Sequence, residues 1–161
     1  MSAQEVSGAV GPFIITFRRP GFLRTTLEAV LDQSRPPTSV FVIDNAASAE
    51  TSEVVSECSS RGVTYLPGSE NLGSSGGAVE SIRACACAGR PWAWWIDDDD
   101  PPAVPDELER LLLLANSDPA IAAAGAFGLR WDWDRGRVVR VPNDELHGRV
   151  DLDMLSGNAD I

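Results

Sequence analysis

Apolar runs and polar interruptions alternate along most of the chain. Val10 to Phe17 is an apolar run rich in β-branched and aromatic residues that ends at Arg18-Arg19-Pro20, and a short run bounded in this way predicts a buried strand. Pro20 suits a helix start, and Phe22, Leu23, Leu27, Val30 and Leu31 recur at helical spacing until Pro36-Pro37. Val40 to Ile43 predicts a second strand that exits into Asp44-Asn45. Ser48 or Thr51 caps the helix that follows, Gly62 closes it, and Val63 to Leu66 predicts a third strand.

Pro67 to Gly77 carries four glycines and predicts a loop, with a helix after it through Ala78, Ile82 and Ala86 that Gly89-Arg90-Pro91 ends. Trp92 to Ile96 is apolar throughout and predicts a fourth, buried strand that runs into Asp97-Asp98-Asp99-Asp100. A helix is expected from about Pro105 to Asn116 on Leu108, Leu111, Leu112 and Ala115, and a strand over Ile121 to Phe127. Beyond Leu129 the pattern changes to a hairpin turning near Arg135-Gly136, and Val150 to Ile161 predicts one more strand.

Continuously apolar strands separated by helices imply an α/β fold, with a mostly parallel sheet covered on both faces. Such sheets bind ligands outside the carboxyl ends of their strands. The polar exits Thr16 to Arg19, Asp44-Asn45, Asn71 to Gly77 and Asp97 to Asp100 are therefore expected to share one cleft.

Composition narrows what that cleft does. The chain has 161 residues and a formal charge of -11 from 24 acids and 13 bases, and a chain of this size buries roughly 68–70% of its extended surface. Binding nucleic acid through phosphate neutralisation is disfavoured, because the charge has the wrong sign. Every base is arginine. Without lysine the chain has no Schiff-base or phosphate-loop lysine, which sets aside the acidic-loop phosphatases and response regulators. A nucleotidyltransferase is disfavoured because Thr16-Phe-Arg-Arg19 lacks a glycine-rich basic loop. Cys58, Cys85 and Cys87 form no CxxC pair, so neither a disulfide framework nor a zinc site is expected, and the compartment is expected to be cytoplasmic. His147 has no obvious partner.

Four adjacent aspartates repel one another unless a cation joins them. Hard oxygens suit Mg²⁺ or Mn²⁺, which take one or two carboxylates and complete their octahedron with phosphate and water. A solvated acidic turn ahead of a helix explains the same residues, although the strand-exit position weighs toward a site. A calcium loop fits badly, lacking the glycine and distal glutamate at the required offsets. Asn71-Leu-Gly-Ser-Ser-Gly-Gly77 either offers amides and a helix N-terminus to an anion or makes a tight turn. Asp44 either accepts bonds from a base or ribose or caps a turn, and Trp131 and Trp133 either stack on a ligand or pack within the hairpin.

Ile14-Ile-Thr-Phe-Arg-Arg-Pro20, Phe41-Val-Ile-Asp-Asn45, Asn71 to Gly77 and Trp92-Ala-Trp-Trp-Ile-Asp-Asp-Asp99 together resemble the nucleotide-sugar half of a family 2 glycosyltransferase of GT-A, Rossmann-like fold. Within that family the chain is most similar to actinobacterial galactofuranosyltransferases and related rhamnosyltransferases, from about Val10 to Leu114. The resemblance implies a donor-binding domain over 1–128 and the start of an acceptor-side region over 129–161. It implies a UDP- or dTDP-sugar donor, a glycan or lipid-linked acceptor, no nucleic acid, and peripheral association with the inner face of the membrane.

By resemblance, Thr16 and Arg19 line the base pocket, Asp44 reads the base and ribose, and Asn71 and Gly73 border the nucleotide. Gly76 and Gly77 would let the next helix approach closely. Asp97 and Asp98 would serve the donor, and Asp97 and Asp99 a Mg²⁺ or Mn²⁺ ion, with Asp98 to Asp100 as the other possible register. The implied reaction is an inverting displacement. Its general base belongs to the C-terminal half of such enzymes, and no acid after Asp106 matches it. The expectation is thus either a piece of a longer transferase or a stand-alone, non-catalytic nucleotide-sugar-binding module.

Overall fold

A computed structural model describes residues 10–125, together with the backbone of 129–132 and 137–140. The chain divides into two compact units, 1–124 and 125–161.

In the first unit, β1 (Val10–Thr16), β2 (Val40–Asp44), β3 (Val63–Pro67) and β4 (Trp92–Asp97) form a parallel sheet in the order β3-β2-β1-β4. The helices are α1 (Pro20–Leu31), α2 (Ala49–Glu57), α3 (Gly73–Cys87) and α4 (Glu107–Ala115), with a short 3₁₀ turn at Ser59–Arg61. β1 lies at the centre and is buried along its whole length. Its register places Thr16 beside Asp44 and Ile15 beside Asp97, so three strands end at one level.

Alternation of side chains across the strands divides the core in two. Ile14, Val40, Val42, Val63 and Ile96 pack with Leu23, Leu27 and Val30 of α1 and with Val54 and Val55 of α2. Phe13, Ile15, Phe41 and Ile43 face α3 through Ala78 and Cys85. Val10 joins Leu108 and Leu112 of α4 with Trp92 and Trp94 alongside. Burying a side chain of this size stabilises the fold by about 1.5–3 kcal/mol.

Several boundaries differ from the sequence expectation. Phe22 is 60% exposed, because the buried stripe of α1 runs through Leu23, Thr26, Leu27 and Val30, and Phe22 lies a quarter-turn away. α1 ends at Leu31, ahead of the two prolines. α3 begins at Gly73, four residues earlier than Gly77, and buries Gly77, Ala78, Ser81 and Cys85 while Ile82 is 52% exposed. Small residues carry the contact because the helix lies close to the sheet.

β4 is only half covered. Its Trp92, Trp94 and Ile96 side is packed, whereas Trp95 on the opposite side is 46% exposed and touches Phe13. Residues 121–125 form no strand, an Ala-Ala-Ala-Gly run having few side chains with which to pack a sheet. Ser48 caps α2 by accepting from Thr51 N at 3.2 Å, which decides between the two candidates.

In the second unit, β5 (Leu129–Asp132) pairs antiparallel with β6 (Arg137–Arg140), Leu129 opposite Arg140 and Asp132 opposite Arg137, as a hairpin requires. His147, Trp133, the expected turn and the strand expected over Val150 to Ile161 lie outside the described residues.

Candidate functional site

The carboxyl ends of β1, β2 and β4 and the start of α3 enclose a cleft of about 310 Å³. Ile15, Thr16, Phe17 and Arg19 line it from β1, Asn45 from β2, Asn71, Gly73 and Ser74 from the start of α3, and Asp97, Asp98 and Asp99 from β4. The four polar exits do converge.

Asp98 is the fixed point of the acidic turn. It is 5% exposed, and its Oδ2 accepts from Thr16 Oγ1 at 2.7 Å while its Oδ1 accepts from Arg19 Nη1 at 3.2 Å. Its own carbonyl accepts from Thr26 Oγ1 of α1 at 2.7 Å. A buried carboxylate needs this many donors, since an unpaired one is costly. Arg19 Nη1 also donates to Asp99 Oδ2 at 2.6 Å. The charges of Asp98 first, and then the bond to Asp99, raise the pKa of the guanidinium further above its ordinary value.

Asp97 and Asp99 are turned toward solvent. Among the described residues Asp97 Oδ1 accepts only from the Trp95 indole, at 3.2 Å, and the Asp99 side chain is 47% exposed. Asp100 does not line the cleft, and its backbone N–H closes the turn onto the Asp97 carbonyl at 3.2 Å. Among the described residues no three His, Cys, Asp or Glu side chains converge on one point. Asp97 and Asp99 are the two exposed carboxylates that line the cleft. That pair fits a hard divalent cation that takes its other ligands from water and a diphosphate, and does not fit a site built entirely from protein groups.

Asp44 and Asn45 divide the work at the β2 exit. Asp44 is fully buried and does not line the cleft. Its Oδ1 accepts from Ala46 N at 2.9 Å, and its Oδ2 from Ser48 N at 2.8 Å and Tyr65 Oη at 2.9 Å. The carboxylate thus holds the 45–48 turn, in which Ala47 has a left-handed φ of 47°. Asn45 lines the cleft instead. It is 5% exposed, its Nδ2 donates to the Gly73 carbonyl at 3.0 Å, and its Oδ1 has no hydrogen-bond partner among the described residues.

Of the glycine-rich segment, only the front reaches the cleft. Asn71 Oδ1 accepts from Gly73 N at 2.9 Å, an Asx turn that starts α3, and Gly73 has a φ of 66° that favours glycine. Gly76 is not a lining residue and packs against the Leu72 side chain. Gly77 faces Ile15.

Sequence reasoning overlooked Thr26 of α1, which holds the acidic turn, and Gln33, just past the end of α1, which ties down the start of α4. Thr26 fixes the Asp98 carbonyl, and Gln33 donates to Val104 O at 3.1 Å while accepting from Leu108 N at 3.0 Å. The signal for Thr26 was present: it is a polar residue at i+3 from Leu23 and i−4 from Val30, on the buried stripe. Asn45 was expected at the cleft as part of the Asp44-Asn45 exit, but the ligand role fell to Asp44, which looks the better ligand in one dimension.

A sequence model described as glycosyl transferase family 2 matches residues 13–148. The galactofuranosyltransferase GlfT1 of Mycolicibacterium smegmatis is 35% identical over 117 residues, covering 73% of this chain and 37% of that protein. GlfT1 of Mycobacterium tuberculosis is 29% identical, covering 92% of this chain and 51% of that protein. The chain thus spans about half, or less, of the length of these relatives. Among solved structures, the mannosyltransferase PcManGT from Pyrobaculum calidifontis, in complex with GDP-Man and Mn²⁺, superposes with a TM-score of 0.58 at 18% identity over 70% of this chain and 33% of that one. S. aureus TarS 1–349 gives 0.58 at 14% identity over 66% of this chain and 32% of that one. At those identities the likeness establishes the fold, the GT-A arrangement expected from the sequence. Among the described residues no helix is long and apolar enough to cross a membrane.

Proposed function

Because the chain belongs to glycosyl transferase family 2, we propose that its cleft binds the nucleoside-diphosphate sugar of an inverting transferase. The donor is a UDP- or dTDP-sugar, galactofuranose or rhamnose, and the acceptor a glycan or lipid-linked sugar. The observation that carries this reading is the meeting of Asp97 and Asp99, Arg19, Asn45 and the start of α3 around one cleft.

Each group has a task in that reading. Gly73 and Ser74 open α3, whose N-terminal amides suit the diphosphate. Thr16 and Arg19 border the nucleotide, with Asp98 holding both in place. Asn45 offers its unpaired oxygen to a base N–H, and Asp44 positions Asn45 by fixing the turn. Asp97 and Asp99 would hold Mg²⁺ or Mn²⁺, and when bound that ion offsets the charge that grows on the leaving diphosphate. Phe17 presents a half-exposed ring at the cleft, a surface on which a base stacks.

The test is calorimetric binding of UDP in the presence of Mn²⁺. Asp99→Ala is expected to remove the metal-dependent part of the affinity, and undiminished binding by that variant would sink the assignment. Donor hydrolysis measured alongside separates a transferase from a module that binds without turnover.

A further inference from the structure

We propose that Arg19 is a built-in counter-ion that keeps Asp99 closed to a divalent cation, and that it gives Asp99 up when nucleotide enters the cleft. The inference rests on the donor-binding reading above and adds an order of events to it.

The geometry is asymmetric. One nitrogen, Nη1, serves both aspartates, at 2.6 Å from Asp99 and 3.2 Å from Asp98. The two partners differ in how else they are held. The Asp98 side chain is 7% exposed and is bound a second time by the Thr16 hydroxyl, so it stays where it is. The Asp99 side chain is 47% exposed and has no other hydrogen-bond partner among the described residues. The Arg19–Asp98 contact is therefore an anchor, and the Arg19–Asp99 contact is the one that exchanges. Exposed pairs of this kind are worth little to the fold, and their partners trade places readily.

Charge supplies the direction. Arg19 is the only basic side chain among the described residues lining the cleft, and it sits against a run of four carboxylates. With no nucleotide present it occupies the Asp99 oxygen that a cation needs, so metal alone must compete with it. A diphosphate offers the guanidinium other oxygens, bidentate in geometry, and frees Asp99 at the moment the metal gains phosphate ligands. Metal affinity then depends on nucleotide for two reasons, the added phosphate oxygens and the released carboxylate.

The experiment measures Mn²⁺ binding by titration calorimetry and by the electron paramagnetic resonance signal of free Mn²⁺, with and without UDP. Arg19→Ala, a substitution at a half-exposed side chain, is expected to bind Mn²⁺ alone about three- to fivefold more tightly than the parent. It should also show a smaller UDP-induced gain. Arg19→Lys should fall between the two, and Asp99→Asn introduced into Arg19→Ala should erase the gain. Unchanged or weaker binding of Mn²⁺ alone by Arg19→Ala, with UDP-dependent Mn²⁺ binding intact, overturns the latch and leaves the donor site standing. Absence of Mn²⁺ binding to every protein, with or without UDP, overturns both.

Discussion

Gly77 of α3 lies so close to Ile15 of β1 that a Cβ on Gly77 would stand 2.8 Å from Ile15 Cγ2. Ile15 and the start of α3 both line the cleft, so this contact seats the helix against the strand beside it.

Gly77→Ala pits two effects against each other. Alanine improves helix propensity by about 0.8–1 kcal/mol. Forcing a methyl into a packed contact costs about 1–3 kcal/mol, and here the obstructing atoms belong to a buried, β-branched side chain with little room to rotate. A net loss of up to about 2 kcal/mol is expected in urea unfolding. Ser75→Ala, on the exposed face of the same helix, gains the propensity without the clash and should not be destabilised.

Tyr65 is the only tyrosine, so its phenolate absorbance near 295 nm reports one group. Burial first, and then the bond to the Asp44 carboxylate, pushes its pKa up to about 12 from an ordinary 10.0. Between those values the unfolded chain has lost the proton and the folded chain still holds it. Stability is thus fully present below pH about 10 and is lost as pH rises toward about 12. A spectrophotometric midpoint near 12 is the expected result, and Tyr65→Phe should flatten the stability profile over the same window. A midpoint at 10 would mean that Tyr65 is neither buried nor bonded to Asp44 in solution.

Asn45 makes a base-selectivity prediction. The bond from its Nδ2 to Gly73 fixes which end of the amide is oxygen, leaving an acceptor for a ligand donor. Uracil and thymine carry an N–H at N3, and cytosine carries a lone pair there. Leaving two acceptors face to face costs about 1–3 kcal/mol, so UDP should bind at least about fivefold more tightly than CDP. In Asn45→Ala that ratio should fall toward one. An equal loss of both nucleotides would instead mean that Asn45 serves only to hold the Gly73 turn.

How much of this was legible in one dimension depends on the range of the interaction. Strand and helix identities follow from local period, and β1, β2 and β3 carry it plainly. The start of α3 was misplaced because glycine and serine read as loop, whereas the Asx turn at Asn71 and the approach to Ile15 make a helix of them. β4 reads as a fully buried strand because tryptophans count as core in any window, yet one of its faces is open and leaves Trp95 46% exposed.

The sequence by itself determined the α/β architecture, the position of each polar strand exit and hence the rim on which a ligand site would form, because apolar periodicity and turn chemistry are local properties. Only the tertiary structure decided how the residues on that rim share their duties. Thr16 and Arg19 reach Asp98 across 82 and 79 positions of chain, and Tyr65 reaches Asp44 across 21. Those bonds make Asp98 an anchor and use up Asp44, and they leave Asp97 and Asp99 on the cleft wall and the buried Asn45 oxygen without a partner among the described residues. A hydrogen bond satisfies a group only through the distance and angle to its partner, and for partners this far apart in sequence the fold alone sets both.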